Sequence, residues 1–209
     1  MSFEDMRIRK SETADIPRMM EIYAYARAFM AAHGNPTQWG PTNWPPEELI
    51  REDIARGNSY VCLNGAGRIV GTFFFVQGED IEPTYRVITD GSWIGEGPYG
   101  VVHRIASDGS EKGVGAFCIN WVFEQCGHLR MDTHGDNTVM QRLLEKLGFR
   151  HCGTIYVTED PYPRLAYEKL LQEDTAADLQ TEMTEDEKID LVAARILREH
   201  IGAFKELAK

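Results

Sequence analysis

Two hydrophobic periods alternate along the chain. From Ile16 to Met30 apolar residues return every three or four positions (Ile16, Met19, Met20, Tyr23, Ala26, Met30), which predicts an amphipathic helix. Thr13 is its expected N-cap, Pro17 fits its first turn, and Gly34-Asn35-Pro36 ends it. A short extended segment precedes it at Arg7–Arg9, and a second short helix is expected over 47–56. The period then shortens. Ser59–Leu63 and Arg68–Val76 read as strands joined through Asn64-Gly65-Ala66-Gly67, a hairpin turn signal. After an irregular stretch (77–98), Tyr99–Ala106 reads as a buried strand. A helix carrying Val114, Phe117, Cys118, Trp121, Val122 and Cys126 follows it. A strand at His128–His134, a helix from Asn137 to Leu147 closed by Gly148, and strands at 150–158 and 164–171 complete the pattern. The order β-α-α-β-β-β-α-β-α-β-β over residues 6–171 predicts an α/β domain, a mixed sheet covered by helices.

Beyond residue 171 the composition turns polar and acidic, giving an expected linker over 172–183. Thr184 and Glu187 form a capping box that opens an amphipathic helix over 184–209. Its stripe of Ile189, Val192, Ile196, Leu197, Ile201, Phe204 and Leu207 needs a partner surface: the domain itself, a second copy in a homodimer, or another protein.

The loop Ser107–Ala116 carries the most chemistry. A strand feeds a glycine-rich turn that opens a helix, an arrangement that points unpaired N–H groups at an anion. Gly113 and Gly115, lacking Cβ atoms, allow a phosphate close to the backbone. A plain loop before a helix has the same spacing, and on spacing alone both readings stand. The loop 34–46, with Trp39 and Trp44 among Gly, Pro and Asn, is either a recognition lid or a cover for the core edge.

Charge and composition narrow the partners. With 209 residues, 43% hydrophobic and 26% charged, the chain suits one domain plus an appendage. Its net charge of −11 disfavours sequence-independent binding to nucleic acid and favours a cationic ligand. Without a run of about 20 apolar residues or an apolar leader, no membrane association is expected, and a cytoplasmic location follows. The cysteines Cys62, Cys118, Cys126 and Cys152 have no paired short spacing and read as reduced core residues. No His-Glu-x-x-His occurs, and His134 with Asp136 is too little for a metal site, so no metal is expected. A His151–Cys152 nucleophile fails because adjacent strand side chains point to opposite faces.

Taken together, RIRKSETADIPRMMEIY, RIVGTFFF, VVHRIAS, SEKGVGAFCINWVF and MDTHGDNTVMQRLLEKLGF, in this order, resemble the GNAT superfamily of N-acetyltransferases over most of residues 6–171. The resemblance implies a mostly antiparallel central sheet with helices on both faces. It implies acetyl-CoA as donor, with its pyrophosphate on the amides of Ser110, Glu111, Lys112, Gly113, Val114, Gly115 and Ala116. The pantetheine would run along the strand at Arg104 and Ile105, and Asn137 would support it. The family loop pattern is Gln/Arg-x-x-Gly-x-Gly/Ala. Gly113 and Gly115 match, and Ser110 stands in the Gln/Arg place. Leu144 occupies the position where many members carry a tyrosine that protonates the leaving thiolate.

Acyl transfer to an amine needs removal of a proton from a group of pKa about 10.4, so a base matters more than an acid for a thiol leaving group of about 8.5. His103 and Tyr99, on one face of their strand, are the candidate catalytic residues, with Glu96 acting through water and Tyr156 as a substitute acid. The resulting expectation is an enzyme moving an acetyl group to a primary amine of a small molecule or peptide. The rival expectations are a non-catalytic acyl-CoA sensor and an interaction scaffold built on the last helix.

Overall fold

The computed structural model describes residues 5–158 and 161–171. The expected linker and terminal helix lie outside the described residues. The elements are β1 (Arg7–Lys10), α1 (Ile16–Ala32), α2 (Glu47–Ala55), β2 (Ser59–Leu63), β3 (Ile69–Gly78), β4 (Tyr99–Ser107), α3 (Val114–Cys126), β5 (His128–His134), α4 (Thr138–Lys146), β6 (Arg150–Tyr156) and β7 (Pro163–Leu170). The order is the one the hydrophobic pattern predicts.

The entry to α1 differs in detail. Thr13–Asp15 forms a 3-10 turn capped reciprocally by Glu12 and Asp15, and Pro17 then sits in the first turn of α1. The side chains α1 buries are Ile16, Met19, Ile22 and Tyr23. The sequence stripe includes Met30, which instead lines a cleft. Within 77–98, β3 reaches Gly78 and Pro83–Arg86 makes one 3-10 turn.

Seven strands form one sheet in the order β1-β2-β3-β4-β5-β7-β6. Every neighbouring pair is antiparallel except β4 with β5. On one face α3 and α4 bury Val102, Val114, Cys118, Ile119, Val122, Leu129 and Leu144. On the other, α1 and α2 cover Val61 and Ala106, and the 79–98 segment covers Val101 and Ala166. Cys62, Cys118 and Cys152 are free and buried, and Cys126 is half-buried.

Two irregularities in β4 shape the site. Phe74 pairs with His103 and Thr72 with Ala106, so β4 carries an extra residue against β3. Arg104 within that bulge has φ 52°, a left-handed conformation that costs a non-glycine residue about 1 kcal/mol or more. Its guanidinium lies 4.6 Å from the Phe74 ring centroid and 2.5 Å from the Asp53 carboxylate, which together hold it there. The parallel pairing of β4 with β5 is confined to Gly100–Leu129 and Val101–Arg130. Past Val101 the two strands separate, and their facing backbone edges open to a cleft.

The segment 79–98 is pinned by a buried carboxylate. Glu168 on β7, 1% exposed, accepts from Arg130 Nε (2.8 Å) and from the Ile94 and Gly95 amides, and pairs with His128 Nε2 (2.6 Å). Arg130 also donates to the Gly95 carbonyl and lies between the rings of Trp93 and Tyr99, 4.5 and 4.2 Å from their centroids.

Candidate active site

The opening between β4 and β5 leads into a cavity of about 1180 Å³. Its walls come from α1, the 34–46 loop, Glu82 and Thr84, the β4–α3 loop, the start of α4 and the β6–β7 hairpin. One end is the glycine-rich turn. Gly113, at φ 84°, precedes α3, and the first bond of that helix runs from Phe117 N–H to the Gly113 carbonyl. The N–H groups of Val114, Gly115 and Ala116 therefore have no intrahelical acceptor. Glu111, Lys112, Gly113 and Gly115 line the cavity. A Cβ on Gly109 would collide with the Tyr25 hydroxyl, so this turn lies directly against α1.

Ser110 is already engaged. Its amide and hydroxyl both donate to Asp108 (2.9 and 2.5 Å), whose other oxygen pairs with Arg18 and Arg68. Burial pushes the Asp108 carboxyl up, and the Ser110 bonds and the two arginines outweigh it, leaving it below the usual range. Asn137 caps α4 by accepting from Met140 N–H, while its Nδ2 donates to Gln38 (3.1 Å), which also accepts from Asn35.

The opposite end gathers ionisable groups around His103. Its Nε2 is 2.8 Å from Glu82, and its Nδ1 is 3.8 Å from Asp132 Oδ1, which accepts from the Tyr85 hydroxyl (2.8 Å). Burial pushes the Glu82 carboxyl up, but the bonds from His103 and from both Thr84 donors prevail and hold it at about 2. An ionised Glu82 can only accept, so His103 Nε2 carries a hydrogen, and in the neutral ring the lone pair sits on Nδ1, toward Asp132. Burial and the Asp132 carboxylate together drive the Tyr85 hydroxyl well above its ordinary value. On β5 the Thr133 hydroxyl lines the same cavity, buried and without a hydrogen-bond partner.

No family model matches the sequence, and no curated protein matches it. Solved structures do. The fold is similar to that of a GNAT-family acetyltransferase from Streptococcus agalactiae, with a TM-score of 0.71 and 29% identity over 79% of this chain and 95% of that one. GNAT-family acetyltransferases from Listeria monocytogenes (TM-score 0.58, 15% identity, 78% and 94% covered) and Bacillus anthracis (0.54, 16%, 81% and 96%) share it. The chain carries the GNAT fold.

Within this GNAT fold the sequence-predicted residues divide by place. His103, Arg104, Ile105, Glu111, Lys112, Gly113, Gly115 and Asn137 line one cavity. Ser110, Val114 and Ala116 flank them without lining it; Val114 is buried in the core. The Arg104 side chain points to Asp53, so only its backbone bulge faces the split strands. Tyr99 stands apart: its ring packs on Tyr85, His128 and the Arg130 guanidinium, in the wall of a separate cavity that also holds Glu96. Leu144 is wholly buried in the core, and Tyr156 is exposed outside the cleft. Trp39 packs edge-on against Tyr23 (6.0 Å) at the edge of the core, and it also lines the cleft beside Trp44.

Sequence reasoning missed Glu82, Asp132, Tyr85 and Gln38. Glu82-Pro83-Thr84 carries a usable signal, an acidic residue capping a turn that starts with proline. Asp132 is the one carboxylate in β5, whose other residues are buried. Among the described residues no group of three or more His, Cys, Asp or Glu is placed to hold a metal ion, and no helix is long and apolar enough to cross a membrane.

Proposed function

We propose that this chain is an N-acetyltransferase that moves the acetyl group of acetyl-CoA to a primary amine by direct attack, with His103 as the base. The observation that carries the reading is the parting of β4 from β5 past Val101, with free amides of α3 at one end of the gap and the Glu82–His103–Asp132 cluster at the other. The residues present fit a coenzyme A thioester. The start of α3 offers N–H donors to a diphosphate, the exposed edges of β4 and β5 suit an amide-bearing arm, and the orphaned Thr133 hydroxyl offers one further bond. Bound there, acetyl-CoA supplies an activated acyl group on a thiol leaving group.

The work of the chain is proton handling and positioning. His103 Nδ1 takes the amine's proton as the C–N bond forms and the C–S bond breaks, and Glu82 holds the ring through Nε2 so that Nδ1 faces the cavity. N–H groups of β4 near His103 meet the developing oxyanion, since β5 no longer supplies their acceptors. The net change moves one proton from amine to thiol. No tyrosine from α4 assists, which a thiol of pKa about 8.5 tolerates.

His103→Gln tests the assignment. Thiol release should fall by about 10²–10⁴ while acetyl-CoA affinity by calorimetry stays within about twofold, because general-base loss acts on the chemical step. Unchanged turnover would remove His103 from the mechanism. A second reading, coenzyme binding without turnover, draws on Leu144 and on the commitment of Ser110 to Asp108. Tight acetyl-CoA binding with no amine-dependent thiol release would select it.

A further inference from the structure

We propose that Asp53 on α2 is a positioning residue for acetyl transfer: through its ion pair with Arg104 it holds the bulge of β4, and with it His103 and the neighbouring amides, in working geometry. The proposal rests on the acetyl-transfer reading and assigns that site a residue that does not line its cavity. His103 and Arg104 are consecutive in β4, yet both stack on the Phe74 ring, at 6.0 Å between ring centroids for His103 and 4.6 Å for the guanidinium. Successive residues of a regular strand face opposite sides. The left-handed Arg104, at φ 52°, brings both to one side and resumes the alternation one residue late, with Ile105 in the core beneath α3 and Ala106 against α1.

Arginine has no preference of its own for that conformation, so something outside the strand must hold it. Asp53 supplies the hold. Its carboxylate, in a residue 3% exposed, accepts from Arg104 Nη2 at 2.5 Å. Arg104 Nε is buried without a partner, and among the described residues Asp53 is the one counter-charge paired with this guanidinium. In turn α2 is seated by Ile50, buried with Tyr23 and Ala106, and is followed by a bond from Asn58 N–H to the Asp53 carbonyl (2.9 Å). With Asp53 lost, the guanidinium has no pair in a buried place and is driven toward water. Arg104 can then leave the left-handed region, which turns the peptide planes on both sides of it. One of those planes joins it to His103, and the other carries an amide on the stretch of β4 that β5 no longer pairs.

The test is amine-dependent thiol release from acetyl-CoA by the full chain, with spermidine, tryptamine or kanamycin, whichever the parent turns over fastest. Coenzyme sites are counted by calorimetry. Asp53→Ala should lower kcat per site by about 10–100-fold, as a small misplacement of reacting groups does, with acetyl-CoA affinity within about twofold. Asp53→Asn, which keeps an acceptor for Arg104 Nη2, should lose less. The decisive variant combines Asp53→Ala with Arg104→Gly. Glycine takes φ 52° without a clamp and leaves no orphaned charge, so kcat should recover by about tenfold over Asp53→Ala. If Asp53→Ala does not fold, the same comparison is made between Asp53→Asn and Asp53→Asn with Arg104→Gly. A purely structural role for Asp53 lowers the urea midpoint and leaves kcat per site at the parent's value in every variant, and that result overturns the proposal. So does a double variant no more active than the single Asp53 variant it is built on. A parent chain that releases no thiol with any of the three amines overturns the transfer reading, and the proposal falls with it.

Discussion

Glu168→Gln is the sharpest perturbation of the fold around the site. Burial pushes the Glu168 carboxyl up, yet the bonds from His128, Arg130 and the Ile94 amide bring it from 4.5 down to about 2. A fall of that size corresponds to about 3 kcal/mol of extra stabilisation of the ionised form in the folded chain. An independent route agrees, since removing one partner of a buried charge pair costs about 3–5 kcal/mol. The sign follows from the depressed value. The contribution is complete above pH 4.5, where the unfolded carboxyl is ionised, and drains away as pH falls toward 2. Urea denaturation at pH 7 should show the variant about 3 kcal/mol less stable, or about 6–12 °C lower in Tm for a chain of this length. The gap between variant and parent should narrow steadily from pH 4.5 to pH 3. A loss below about 1 kcal/mol at pH 7, or one of constant size across that range, would refute the assignment of Glu168 as the ionised clasp of the 93–95 segment.

Two further perturbations probe the coenzyme end. Gly113→Ala places a Cβ on a residue at φ 84°, at a cost of about 1 kcal/mol of stability, and turns the first amides of α3. Acetyl-CoA affinity should weaken by about tenfold with helix content by circular dichroism unchanged, and an unaltered Kd would move the diphosphate elsewhere. Gln38→Ala frees Asn137 Nδ2, which Met140 N–H keeps oriented through the other end of the amide. Calorimetry should then give about two- to fivefold tighter acetyl-CoA binding, the size of one net hydrogen bond, and an equal or weaker affinity would show that Gln38 does not compete for Asn137.

Much of this architecture was legible in one dimension. Hydrophobic periods, apolar runs and turn signals together located the seven strands and four helices of the described residues, because burial of one face imposes those periods on each element separately. The glycine turn was legible for the same local reason: a left-handed Gly113 and the free amides of α3 depend on a few consecutive residues. The sequence places Tyr99 and His103 on one strand face, with His103 ahead of Tyr99 as a base because of its ordinary imidazole pKa. They part company because Arg130 and Trp93, distant in sequence, close over Tyr99, whereas Glu82 and Asp132 leave His103 at the open end of the cleft.

The sequence by itself therefore determined the elements, their order and the anion-facing turn, all consequences of local backbone preference and one-sided burial. Only the tertiary structure decided which ionisable groups meet. Glu82 lies in an irregular loop with no periodic constraint, 21 residues from His103, and Asp132 lies 29 residues beyond His103 on the strand that parts from β4. Their convergence on His103 is made of contacts between segments whose spacing along the chain carries no period to read.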